Sequence, residues 1–139
     1  MVEKGRNGGR KLFNDIDLMG RILGAKWLRN QVISNNIANV GTPNYKRYDV
    51  SFESLLQSKL GQKRLELKAT NHRHIRTRLD DLTPKIYRET GSSVRQDGNN
   101  VDIDKEMAKL AENALAYDIL TEQIKTKFKL LSSAINEGR

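Results

Sequence analysis

The chain has 139 residues, no cysteine and a formal net charge of +8 at neutral pH. That length suits one small domain, and the missing thiols exclude disulfides, cysteine-ligated zinc, iron–sulfur clusters and a cysteine nucleophile. No apolar run approaches the roughly 18–20 residues a membrane span needs, so membrane insertion is not expected.

Residues 1–13 are basic and Gly-rich, and read as a disordered N-terminal segment. They lack the apolar stretch of a cleavable secretory signal, so export, if it occurs, is expected by another route.

Helical periodicity begins at residue 14. Ile16, Met19 and Leu23 start a row spaced by three and four that resumes at Ile33 and Ile37, interrupted by Lys26 and Asn30. Leu18, Ile22, Ala25, Leu28 and Val32 widen the apolar stripe, and the pattern predicts a helix over 14–35 within a helical segment 14–40. Gly20 and Gly24 share one face. They either admit another helix closely or simply weaken this one by about 1 kcal/mol each.

The helix runs into Asn35-Asn36-Ile37-Ala38-Asn39-Val40-Gly41-Thr42-Pro43-Asn44-Tyr45-Lys46-Arg47. Asparagines compete for nearby backbone groups and sit poorly in a helix interior. Pro43 removes an amide donor and pushes Thr42 out of the α region. Pro43-Asn44 suits the centre of a turn, since proline presets φ and asparagine tolerates the left-handed region. By itself the string is a helix exit with a shaped turn.

Residues 41–100 form a weakly encoded central segment. Phe52, Leu55, Leu56 and Leu60 suggest a short amphipathic helix, and Leu65 and Leu67 alternate with charges like a short strand. Lys85-Ile86-Tyr87-Arg88, Thr90-Gly91-Ser92 and Ser93-Val94-Arg95 read as a small β-hairpin. A basic cluster of Lys63, Arg64, Lys68, Arg73, Arg76 and Arg78 lies here too. It suits either a solvated loop or an anionic partner.

The C-terminal segment is the strongest element. Met107, Leu110, Ala114, Tyr117, Thr121, Ile124, Phe128, Leu131 and Ile135 alternate spacings of three and four, a heptad seam with one polar position at Thr121. Asp97-Gly98-Asn99-Asn100 breaks the chain before it, and Asp102, Asp104 and Glu106 favour the positive end of the helix dipole. The predicted helix, about 103–136 within a segment 101–136, is roughly 50 Å long against roughly 33 Å for the first. A hairpin of the two would leave apolar residues uncovered, which points to further copies or partners, or else to the central segment folding back over the seam.

The string at Asn35–Lys46 resembles the N-terminal signature of the flagellar rod, hook and hook-associated axial proteins. The match runs through Asn35, Asn36, Ile37, Ala38, Asn39, Thr42, Pro43, Tyr45 and Lys46, with Asn44 where that pattern usually has glycine. Asp97-Gly98-Asn99-Asn100-Val101-Asp102-Ile103-Asp104, then Leu110-Ala111-Glu112-Asn113 and Tyr117, resembles the C-terminal signature of the B-type proximal rod proteins of the flagellar basal body. Thr70-Asn71-His72-Arg73-His74-Ile75 resembles a string in the middle of the same family. The resemblance implies a mainly α fold whose long terminal helices pair as an antiparallel coiled-coil-like hairpin around a weakly ordered insert. It implies a structural subunit of the periplasmic rod, exported by the flagellar type III apparatus and assembling in a helical lattice with copies of itself and other basal-body proteins. Asn36, Ala38, Asn39, Thr42, Pro43, Tyr45 and Lys46 would then serve assembly.

Catalysis needs converging acid, base or nucleophile groups, and none is evident. His72 and His74 have no third metal ligand at a recognisable spacing. No catalytic site, metal or cofactor is expected. The rival from another class is a basic helical nucleic-acid-binding module. Layout argues against it, because the basic cluster lies in the least regular region while the best helix is slightly acidic.

Overall fold

The computed structural model describes residues 3–63, 82–91 and 95–136. In chain order the elements are α1 (Glu3–Ala38), β1 (Tyr48–Ser51), α2 (Glu53–Lys63), β2 (Lys85–Arg88) and α3 (Ile103–Asn136). The fold is mainly helical, as expected. Helix α1 pairs antiparallel with α3: Asn36 meets Glu106, the Lys26 carbonyl meets Asn113, and Asp15 meets Lys127.

Helix α1 starts at Glu3 rather than near residue 14, in the stretch read from sequence as disordered. Elongating a helix costs far less than nucleating one, so an amphipathic segment can carry a poorly encoded N-terminal extension. The two long helices are therefore nearly equal, 36 and 34 residues. The expected overhang from unequal lengths is absent.

One face of α1 carries the core. Ala25 and Val32 pack with Val50, Phe52 and Leu82, and Leu18, Ile22, Leu28, Leu55 and Leu56 close over them. The central segment thus folds back on α1 through β1, α2 and the strap at Leu82. The row Ile16, Met19, Leu23 is half-buried on the flank facing α3.

The strands pair antiparallel with Tyr48 opposite Arg88 and Ser51 opposite Lys85. The described partner of β2 is β1, roughly forty residues upstream; Ser93 and Val94, in the second arm of the expected hairpin, lie outside the described residues. Side chains of α1 satisfy the other edge of β1. Asn36 accepts from the Tyr48 amide at 2.9 Å and donates to its carbonyl at 2.7 Å, and Arg29 donates to the Val50 carbonyl at 2.7 Å. Asn36 and Arg29 lie seven residues apart, two helical turns, which lets them address alternate residues of one strand.

The seam of α3 has the expected period but a shifted face. Leu110, Tyr117, Ile124 and Leu131 are half-buried, whereas Met107, Ala114, Phe128 and Ile135 are exposed. The second inward row is Glu106, Asn113, Leu120 and Lys127. Three of those four are polar or charged and each reaches α1. Asn113 donates to the Lys26 carbonyl at 2.9 Å and Lys127 pairs with Asp15 at 3.2 Å. A pattern built on apolar residues alone rotates the helix by one position.

Candidate functional site: a polar clasp at the helix junction

The two signature strings, some sixty residues apart, dock on each other. Thr42-Pro43-Asn44-Tyr45 forms a turn closed by the Tyr45 amide on the Thr42 carbonyl at 3.3 Å, and Asn44 takes φ +59°. That is the left-handed residue a type II turn requires after proline. Arg95 to Gly98 forms a second turn, closed at 3.1 Å, with Gly98 at φ +80°. The Asn44 amide donates to the Asp97 carbonyl at 2.9 Å, joining the turns. A Cβ on Gly98 would stand 2.5 Å from Asn44 Oδ1, so the position needs glycine for its conformation and for the close approach.

Asn99, fully buried, locks the junction. Its Nδ2 lies 2.9–3.0 Å from the carbonyls of Asn39, Val40 and Thr42, just past the end of α1, and so ties down the chain where the helix stops. Its Oδ1 accepts from the Val101 amide at 2.8 Å. Lys46 donates to the Gly98 carbonyl at 2.7 Å. Asn100 bridges the Arg47 amide and the Glu89 carbonyl, tying the β-pair into the junction. Asp102 caps α3 by accepting from the amides of Asp104 and Lys105.

Beneath the turns lies a buried charge. Glu106 is 1% exposed and accepts from Asn36 Nδ2 at 2.9 Å and Arg47 Nε at 3.0 Å. Asn36, fully buried, also accepts from the Tyr45 hydroxyl at 3.2 Å. Arg47 spends its other nitrogens on Glu89 and Asp49. Burial opposes the charge of Arg47, but these carboxylates prevail and raise its pKa above the ordinary value. Burial likewise opposes ionisation of Asp49, yet the Val50 amide and Arg47 hold its carboxyl below the usual range. Burial of the Tyr45 ring raises its hydroxyl pKa.

Of the motif residues singled out from sequence, Asn36, Asn39, Thr42, Tyr45 and Lys46 are brought together by this network. Ala38 and Pro43 sit exposed on its rim. Arg47, Asn99, Asn100 and Glu106 complete it. Their signal was present as a repeated amide string before α3 and a carboxylate on its inward stripe. Neither told which distant groups they would meet. The basic cluster from Arg64 to Arg78, with His72 and His74, lies outside the described residues. Among the described residues, no cluster of three or more potential metal-ligating side chains occurs, and no helix is long and apolar enough to cross a membrane.

Paired terminal helices joined through an Asn/Thr-Pro turn are what membership of the flagellar axial class implies. Comparison with known proteins agrees. The flagellar basal body rod protein FlgB of Bacillus subtilis is 41% identical over 112 residues, covering 81% of this chain and 85% of that protein. Its namesake in Borreliella burgdorferi is 34% identical over 124 residues, covering 84% and 92%. That of Escherichia coli K12 is 32% identical over 116 residues, covering 79% and 84%. No family model matches the chain. On these relatives, the chain belongs to the FlgB family of flagellar basal body rod proteins.

Proposed function

We propose that this protein is a structural subunit of the flagellar basal-body rod, built into a helical lattice with copies of itself and other basal-body proteins, and that it transmits torque. One observation carries the reading beyond family membership. The monomer satisfies its polar groups internally at the clasp while leaving apolar side chains of α3 in water. Met107, Leu115, Ile119, Phe128, Leu130 and Ile135 are each more than half exposed. A polar clasp fixes the angle and register of two long helices, and the uncovered apolar surface supplies contact area once neighbours arrive.

Export through the flagellar type III apparatus and placement in the periplasm both belong to the rod reading. The work is mechanical and needs no turnover. Deleting the gene and complementing it in trans tests this reading. Loss of swimming and of completed rods, both restored by the wild-type chain, is the expected result. Normal basal bodies in the deletion strain overturn it.

A further inference from the structure

Among the described residues, two buried side-chain atoms lack a hydrogen-bond partner: Arg29 Nε, a donor, and Asn113 Oδ1, an acceptor. Both residues line one cleft of about 410 Å³, where α1, the end of β1 and the middle of α3 meet. Neither atom finds its partner within the folded chain. Asn113 is 3% exposed, and its Nδ2 is held on the Lys26 carbonyl at 2.9 Å. Turning that amide over would set oxygen against oxygen. The terminal nitrogens of Arg29 hold Glu53, and one also donates to the Val50 carbonyl at 2.7 Å, so Nε is left over. A buried donor or acceptor without a partner costs free energy that a matching group recovers.

The two atoms define what matches. The occupant must accept from Arg29 and donate to Asn113. The lining charges then decide whether it is ionic. Lys26, Arg29 and Lys109 stand against Asp49, Glu53 and Glu112, three cations to three carboxylates. Glu53 already pairs with Lys26 and Arg29, and Asp49 with Lys109 at 3.5 Å. A charged occupant would lose its hydration and compete with these pairs, with no net charge to draw it in. An uncharged group meets no such opposition.

The positions narrow it further. Asn113 sits on the carbonyl of Lys26, three residues from Arg29 and so one turn along the same helix. A primary carboxamide carries an N–H and its C=O on one edge and can address two such neighbours together. A trans peptide unit or an acetamido group points the same two functions in opposite directions. The cleft is far larger than a lone carboxamide, leaving room for the residues that carry it. We infer that this cleft binds one primary carboxamide, the side chain of an asparagine or glutamine presented by another protein chain. The assignment goes beyond the rod reading and does not depend on it.

NMR titration of the purified, isotope-labelled protein tests the chemistry. Propionamide should give saturable shifts at the Arg29 Nε–H and the Asn113 side-chain amide. Propionate, its charged counterpart, and N-methylacetamide, a trans amide, should give none there. Arg29→Lys keeps a cation beside Glu53 but lacks Nε, and should weaken propionamide about fivefold, the worth of one hydrogen bond. Should that variant fail to fold, the ligand series on the wild-type chain decides alone. No response to propionamide, or an equal response to propionate, overturns the inference. Tripeptides Gly-Gln-Gly and Gly-Leu-Gly, capped by acetyl and methylamide groups, test the source. The glutamine peptide should bind more tightly than propionamide, and the leucine peptide should not bind. A glutamine peptide no tighter than propionamide, or N-acetylglucosamine binding more tightly than either, overturns the assignment to a protein side chain. Each of these results leaves the rod reading standing.

Discussion

The two ends of the helical hairpin solve opposite problems. At the clasp end, Asn36, Asn99 and Glu106 are buried and hydrogen-bonded, although Ile103 and Met107 beside them stay 45% and 52% exposed. At the far end of α3, Phe128, Leu130 and Ile135 are 52–64% exposed and the polar contacts are surface pairs. Buried polar groups cost free energy unless each partner is in place, so they tolerate one arrangement and reject neighbouring registers. Exposed apolar groups are non-directional and accept whatever complementary surface arrives. The protein sets its geometry at the clasp end, while uncovered apolar side chains run along α3 and are not held in place by buried polar partners at its far end.

The sharpest way to break this contrast is at Glu106. Glu106→Ala leaves Arg47 Nε and Asn36 Nδ2 facing an empty site in the interior. Removing one partner of a buried ion pair costs about 3–5 kcal/mol, a large share of a small domain's stability. Urea melts of the purified monomer should show this loss, with Glu106→Gln recovering part of it through the Asn36 bond. A change under about 1 kcal/mol for Glu106→Ala would mean the clasp does not set the register.

Gly98 and Asn99 come next. Gly98→Ala puts a side chain at a positive φ and pushes on Asn44 Oδ1, and Asn99→Ala removes the buried amide that ties the carbonyls of Asn39, Val40 and Thr42 to the chain before α3. Each should cost about 2–3 kcal/mol. Hydrogen exchange should show the last turn of α1 opening before its middle.

These residues also show how far the sequence could be read. The Asn/Thr-Pro turn and the Asp-Gly-Asn-Asn break were visible because proline, glycine and asparagine act on their own backbone. Their relation was not visible. Asn36 is explained by Tyr45, Tyr48 and Glu106, 9, 12 and 70 residues away, and local pattern carries no such information. The strand over 85–88 was legible for the same local reason, but its pairing with β1 was not, because that partner is some forty residues upstream and local pattern does not reach it. The heptad of α3 was right in period, and within the monomer one of its two rows, Leu110, Tyr117, Ile124 and Leu131, turns toward α1 while the other does not. Glu106, Asn113 and Lys127 occupy inward sites that a hydrophobic count gives to Met107, Ala114 and Phe128.

Acid provides a milder test, outside both ends. Burial opposes ionisation of Glu53, yet Arg29 and Lys26 bring its pKa down to about 2 from an ordinary 4.5. Asp49 is shifted the same way. A lowered folded-state pKa contributes stability that is complete above the unfolded value and is lost as pH falls through the folded one. The melting temperature should therefore decline between about pH 4.5 and 2. Glu53 is half exposed, so solvent screening holds its share to about 1 kcal/mol or less. Glu53→Gln should flatten the upper part of that decline. A melting temperature that rises on acidification would contradict the sign.

The smallest effect on the monomer should come from the far end, and it is the most telling. Phe128 and Leu131 both belong to the heptad expected from sequence, but Phe128 is 52% exposed and Leu131 is half-buried toward α1. Phe128→Ser removes little that the monomer uses and should shift its stability by no more than about 0.5 kcal/mol, as surface substitutions do. Leu131→Ala should cost more, about 1 kcal/mol, in keeping with its partial burial. In cells the order should invert. Phe128→Ser strips apolar area from the surface left for neighbours, so swimming should fall although the monomer is as stable as wild type. If Phe128→Ser destabilises the isolated chain as much as Leu131→Ala, that surface is already used within the monomer, and the division between a geometry-setting end and a contact-making end fails.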